Sequence, residues 1–273
     1  MTQPNIIYND KVEDIELIDS LLKEFNRVIS TNTKIILLPE LLLSDNYWKE
    51  TFLETAVYAK LKYYLLNKHP NATILIGNKL RMISNEIDTN SSYSQEYNGI
   101  PSYGFNVCSA IDTSNKISYK AKKLFITKVE NWPPLFNAIF PDKKAIINNY
   151  ASTNDADIMR IGKQNYFIAI CYESIFSDQC VIASKEDCSA IIMLASESFL
   201  KGNNFAIEQY LNICKLKAIE NQKYVVKCSN SGISATINPI GEIETELRSD
   251  ISAYKLINLP LKHQKTFFSK ICF

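Results

Sequence analysis

The chain carries a thiol, a carboxylate and a lysine cluster at three points where apolar runs stop. Phe167-Ile168-Ala169-Ile170 ends in Cys171, with Tyr172 and Glu173 directly after it. Lys34 to Leu38 ends in Pro39-Glu40, and Lys120-Ala121-Lys122-Lys123 follows a third apolar segment. A short apolar run bounded by polar residues reads as a buried strand. Each group then stands on rigid backbone at a sheet edge, where α/β enzymes gather their reacting groups. Together they are the parts needed to open an amide or ester bond. The carboxylate takes the thiol proton, the thiolate attacks the carbonyl to give a thioester, and an ammonium stabilises the oxyanion. Each also has a plainer reading. Cys171 can be a buried thiol packed as a small hydrophobe, Glu40 a charge at a strand end, and the lysines a solvated face. The sequence does not decide whether the three meet in space.

The elements that must position them follow from periodicity. Ile15, Ile18, Leu22, Phe25 and Ile29 recur at helical spacing and predict an amphipathic helix over about 11–30. A second helix is predicted over about 46–68, with Trp48, Phe52, Ala56, Ala59 and Tyr63 along one face. Short strands are predicted at 34–38, 73–77, 167–171, 190–194, 224–228 and 233–237. A hairpin joins Phe105–Ile111 to Lys116–Tyr119 through Asp112-Thr113-Ser114-Asn115. Further helices are expected near 177–185 and 205–222, a polar loop over 84–101, and a turn at Asn238-Pro239-Ile240-Gly241. Trp132-Pro133-Pro134 excludes a regular helix or central strand there. Strands alternating with helices predict one α/β domain over 1–273, with layered sheets and helices outside.

Composition narrows the classes. Among 273 residues, 46% are hydrophobic and 22% charged, as in ordinary soluble proteins. Thirty basic against twenty-nine acidic side chains give a net charge of +1, which argues against nucleic acid or an acidic membrane surface as partner. The seven cysteines form no Cys-x-x-Cys pair and only His69 and His263 accompany them, so no metal or other cofactor is called for. Dispersed thiols in apolar segments fit a reducing compartment. No window approaches the roughly 20 apolar residues of a membrane span, and Met1-Thr2-Gln3-Pro4-Asn5 has no signal-peptide pattern. A soluble, cytoplasmic chain is expected.

Pro39-Glu40, the segment from Tyr119 to Leu124, and Cys171-Tyr172-Glu173 together resemble the Glu-Lys-Cys triad of the carbon–nitrogen hydrolase (nitrilase) superfamily. The chain is most similar to the nitrilase domain of the apolipoprotein N-acyltransferase branch. That likeness runs through Gln3-Pro4-Asn5-Ile6, Ile170 to Phe176, Leu216-Lys217-Ala218-Ile219-Glu220, Ser229 to Ser234 and Asn238 to Ile243. It implies a four-layer α-β-β-α sandwich, Cys171 as nucleophile, Glu40 as base, and Tyr172 and Glu173 supporting the nucleophile. Counted as in the family, the lysine slot falls on Ala121. A one-residue shift places Lys122 there and aligns Val129-Glu130-Asn131-Trp132-Pro133 so that Glu130 becomes a second supporting carboxylate; Lys120 is the alternative. Where the family has an Asn-Asp turn, Ala195-Ser196-Glu197-Ser198-Phe199 puts Ser196-Glu197 beside the nucleophile, expected to add a flexible charge.

The resemblance implies thiol-dependent acyl transfer to an amine, with a small acyl or amide substrate. A family amidase and a catalytically impaired binding module are the alternatives. It also implies a homo-oligomer for a soluble member. The family's membrane helices are absent from this sequence, so a split acyltransferase would need a separate membrane partner.

Overall fold

Strands that alternate apolar side chains on both faces must be covered on both faces, and this chain does so with two six-stranded sheets and two helical layers, β1 and β14 pairing separately. The computed structural model describes residues 2–3, 13–43, 46–83, 94–97, 100–123, 150–151, 157–200, 202–248, 251–260 and 266–271. In chain order the strands are β1 (Thr2–Gln3), β2 (Ile35–Leu37), β3 (Asn46–Trp48), β4 (Thr73–Ile83), β5 (Ser94–Tyr97), β6 (Ile100–Ile111) and β7 (Ile117–Ala121). They continue with β8 (Ile158–Ile161), β9 (Gln164–Ile170), β10 (Ala190–Ser196), β11 (Tyr224–Asn230), β12 (Ser234–Ile237), β13 (Ile243–Leu247) and β14 (Ala253–Tyr254). The long helices are α1 (Asp14–Val28), α2 (Ala56–Lys68) and α3 (Asn204–Asn221).

One sheet runs β2-β4-β6-β5, with β3 also beside β4 and β7 beside β6. The other runs β13-β12-β11-β10-β9-β8, parallel across β9, β10 and β11. Ile18, Leu21 and Phe25 of α1, with Leu61 and Leu65 of α2, pack on Ile36, Ile74, Ile76, Phe105 and Val107 of the first sheet. Leu211, Cys214 and Ala218 of α3 pack on Phe167, Ala169, Ile191, Met193 and Val225 of the second. Between the sheets, Leu37, Leu75, Cys108 and Ala110 meet Ile168, Ile170, Ile192, Leu194 and Val226. The alternation along β9 and β10 is thus the reason for four layers, α-β-β-α. Each fully buried Leu or Ile contributes about 1.5–3 kcal/mol.

Several expected elements differ. The helix expected over 46–68 is three pieces: β3, a single 3-10 turn at Phe52–Glu54, and α2. Thr55 divides them, extended at φ −74°, ψ 150°, with its side chain accepting from the Tyr58 amide as an N-cap. The buried face of α2 is Val57, Tyr58, Leu61, Tyr64 and Leu65 rather than the Ala56, Ala59, Tyr63 line; Tyr63 is 72% exposed. Within the expected polar loop 84–101 lies β5, because an edge strand needs only backbone pairing with β6. Residues 73–77 are the first half of the longer β4, and Lys116–Tyr119 extends into β7 at Ala121. The β8–β9 hairpin, turned at Gly162 with φ 60°, was not legible in advance.

The described cysteines are buried and free. Burial pushes the thiols of Cys108, Cys180, Cys188 and Cys214 up to about 12 from 9.0. A native pKa above the unfolded one adds stability that is complete below pH 9 and is lost as pH climbs toward 12, because the unfolded chain releases its thiol protons first. The urea midpoint is therefore expected to fall steadily from pH 8.5 to pH 11. An unchanged midpoint over that range would contradict burial of these thiols.

Candidate active site

Glu40 sits at a corner built around a missing side chain. The Gly77 amide donates to Pro39 O at 3.1 Å, and Leu42 N donates back to Gly77 O at 2.9 Å. A Cβ on Gly77 would lie 2.5 Å from both the Glu40 Cα and Pro39 O. The corner closes with Leu41 in the left-handed region at φ 50°. Gly77→Ala is therefore expected to cost about 3 kcal/mol, read as a lower urea midpoint, and to displace Glu40. The Glu40 carboxylate is buried and held from both sides: Asn106 Nδ2 donates to Oε1 at 2.7 Å and Ser196 N donates to Oε2 at 2.8 Å.

Strand pleating decides where the lysines point. Ala121 pairs with Val107 and packs into the layer beneath α1 and α2. Lys120 pairs with Cys108, which faces the other sheet, and Lys122 N donates to Asn106 O at 2.7 Å. Neighbours across an antiparallel pair share a face, so Lys120 and Lys122 both face the inter-sheet side while Ala121 faces away. Both lysines are fully buried, yet they take different partners. Lys122 Nζ is 3.6 Å from Glu40 Oε1. Lys120 Nζ is ion-paired with Glu173 and lies 3.6 Å from Asp157 Oδ1. Lys123 Nζ bonds Asp157 Oδ2 at 2.9 Å.

Cys171 begins a short 3-10 turn, Cys171–Ile175, with φ 53°. A non-glycine residue in that region is strained and persists only where its surroundings hold it. Its carbonyl accepts from the Tyr210 hydroxyl and from Ser174 Oγ, each at 2.8 Å. Glu173 then folds back: Oε2 accepts from Ile170 N at 2.8 Å, and Oε1 accepts from Lys123 N. Glu173 therefore grips both sides of Lys122, through the Lys120 ammonium and the Lys123 amide, while standing two residues after Cys171. Register brings Glu40 to the same place. Ile170 pairs with Leu194 in parallel, and Glu40 is held by the amide of Ser196, two residues further on. Half-buried Tyr172 packs its ring edge-on against Phe176 at 5.2 Å.

Glu40, Lys122, Cys171, Tyr172 and Glu173 thus gather at one end of the sandwich, whereas Glu130 lies outside the described residues. Glu197 is not the flexible charge expected. It is buried, receives Lys227 Nζ on both carboxylate oxygens at 2.8 Å, and accepts from Ser229 Oγ at 2.8 Å. Lys227 is the one charged residue of β11, and that lone charge was the available signal. Asn106, between Phe105 and Val107, was a similar one, and Asp157 carried none.

A family model described as carbon-nitrogen hydrolase matches residues 1–252. The chain belongs to that family. Among curated proteins, this chain is 26% identical to the apolipoprotein N-acyltransferase of Wigglesworthia glossinidia brevipalpis over 75% of the chain and 45% of that protein. It is 25% identical to the one of Borreliella burgdorferi over 99% of the chain and 49% of that protein. The chain therefore spans about half the length of the curated relatives it matches. A CN-hydrolase superfamily protein of Xanthomonas campestris superposes at TM-score 0.59 with 13% identity, covering 91% of this chain and 84% of that one. An amidase of the nitrilase superfamily from Nesterenkonia superposes at 0.56 with 12% identity, covering 91% and 85%. These likenesses establish the nitrilase fold. Among the described residues, no helix of this chain is long and apolar enough to cross a membrane.

Proposed function

We propose that this carbon-nitrogen hydrolase transfers acyl groups through a thioester on Cys171. The observation that carries the reading is the buried contact of Lys122 with Glu40, 3.6 Å apart, enclosed by Glu173 on the turn that begins at Cys171. In this reading the Glu40 carboxylate, facing Lys122 and accepting from Asn106 and Ser196 N, is the base. Moving the Cys171 proton to Glu40 exchanges one anion for another beside the same ammonium, so the local charge is unchanged and the step escapes the penalty of creating a buried charge. The thiolate then attacks the acyl carbonyl, and its electron pair moves to the carbonyl oxygen, where Lys122 faces the developing oxyanion. Collapse expels the amine or alcohol, which takes the proton from Glu40 and leaves the thioester. An acceptor loses a proton to Glu40 as it attacks the thioester, collapse breaks the carbon–sulfur bond, and Glu40 returns the proton to the Cys171 sulfur.

The names of the curated relatives make an amine the proposed acceptor, giving an N-acyl product. Water as acceptor gives an amidase. The test is turnover of p-nitrophenyl acyl esters of increasing chain length with and without a primary amine. An N-acylated amine in excess of free acid supports the transferase, and free acid alone supports the amidase. Release no faster than in buffer would overturn both.

A further inference from the structure

Behind the nucleophile lies another buried charge pair, which the proposed chemistry does not use. Lys227 projects from β11 beneath α3 and spends its three donors on the two oxygens of Glu197 and on Ile233 O, at 2.8, 2.8 and 2.7 Å. Its ammonium also lies 4.7 Å from the centroid of the Tyr210 ring, a cation–π distance. Tyr210 reaches the other way, with its hydroxyl 2.8 Å from both Cys171 O and Ser174 Oγ. Burial holds the Tyr210 phenol well above its ordinary value of 10.0, so it stays protonated and remains a donor. At its far end the pair is continuous with the base. Glu197 N donates to Asn230 O at 3.0 Å, and the preceding amide, Ser196 N, holds Glu40 Oε2.

A buried ion pair is weak evidence for stability, since apolar replacements of similar volume often serve as well. Its use here is better sought in geometry. The left-handed Cys171 needs its carbonyl fixed, and Tyr210 supplies a fixed donor whose ring is clamped by a charge that cannot wander. The pocket has no slack: a Cβ on Gly232 would stand 1.4 Å from Glu197 Oε2.

We propose that Glu197, Lys227 and Tyr210 form a positioning strut that sets Cys171 and Glu40 relative to each other. The inference rests on the thioester reading above, and none of the three residues needs to touch substrate. Tyr210→Phe removes one hydroxyl while keeping the ring. Glu197→Gln removes the charge, and the double variant E197D/K227R restores a pair of different reach.

The experiment measures the rate of Cys171 alkylation by iodoacetamide across pH 5 to 10 by peptide mass spectrometry. It is paired with kcat and KM for a p-nitrophenyl ester and with urea midpoints. Tyr210→Phe and Glu197→Gln are expected to slow alkylation at pH 7 and to lower kcat roughly ten- to a hundredfold, with KM unchanged. Tyr210→Phe should keep a near wild-type urea midpoint, and E197D/K227R should regain most of the rate lost in Glu197→Gln. Wild-type rates in Tyr210→Phe at every pH, or losses matching only the unfolded fraction, would overturn the strut. Wild-type Cys171 alkylating with the pH profile of a free thiol would instead sink the thioester reading, and the strut would then have nothing to position.

Discussion

Replacing Cys171 with alanine is expected to abolish acyl transfer, by on the order of 10⁴-fold or more in kcat, while leaving the fold intact. The estimate follows from what removal of a nucleophile costs when the other catalytic groups remain. Alanine keeps the β-carbon and tolerates the same φ of 53° as poorly as cysteine does, so the turn that starts β9's exit changes little. The carbonyl still receives Tyr210 and Ser174. The sulfur is buried, and its loss costs about 1 kcal/mol. A steady-state assay beside a urea titration separates the two effects. Residual activity within tenfold of wild type in a folded Cys171→Ala protein would remove Cys171 from the chemistry.

The second large effect concerns the two buried lysines. Lys122→Met leaves buried Glu40, which accepts from Asn106 and Ser196 N, without its ammonium neighbour, and Lys120→Met leaves Glu173 and Asp157 without their shared cation. Removing one partner from a buried pair costs about 3–5 kcal/mol, so both variants are expected to lower the urea midpoint. Their kinetics should differ. Loss of an oxyanion-stabilising group costs about 10²–10³ in kcat, and that loss is expected for Lys122→Met per folded molecule. Lys120→Met is expected to stay within about tenfold, because Lys123 still holds Asp157 and two backbone amides still hold Glu173. The reverse ranking would assign the lysine role to Lys120.

Much of this site was legible because its residues end apolar strands. Glu40 after Leu38 and Cys171 after Ile170 are visible as interruptions of hydrophobic runs, and the four-layer sandwich is what the resemblance implies. The choice between Lys120 and Lys122 was open on sequence alone. It is a matter of pleat and partner: both side chains share a face, and what distinguishes them is that Asn106 brings Lys122 opposite Glu40. The Glu197–Lys227 pair could not be paired from sequence, because its members lie thirty residues apart, one just past β10 and the other in β11, and Glu197 was expected to be a flexible charge. The break at Thr55 was hidden by an apolar periodicity that continued across it, and β5 by its polar composition.

The most direct measurement is intact-mass spectrometry of the protein after brief exposure to activated acyl esters and simple amides, followed by peptide mapping, with Cys171→Ser alongside. The account predicts a mass increase equal to one acyl group, mapped to the peptide containing Cys171, absent from the variant and discharged by added amine or by water. No adduct with any donor, in protein whose Cys171 still reacts with iodoacetamide at the rate of a free thiol, would contradict it.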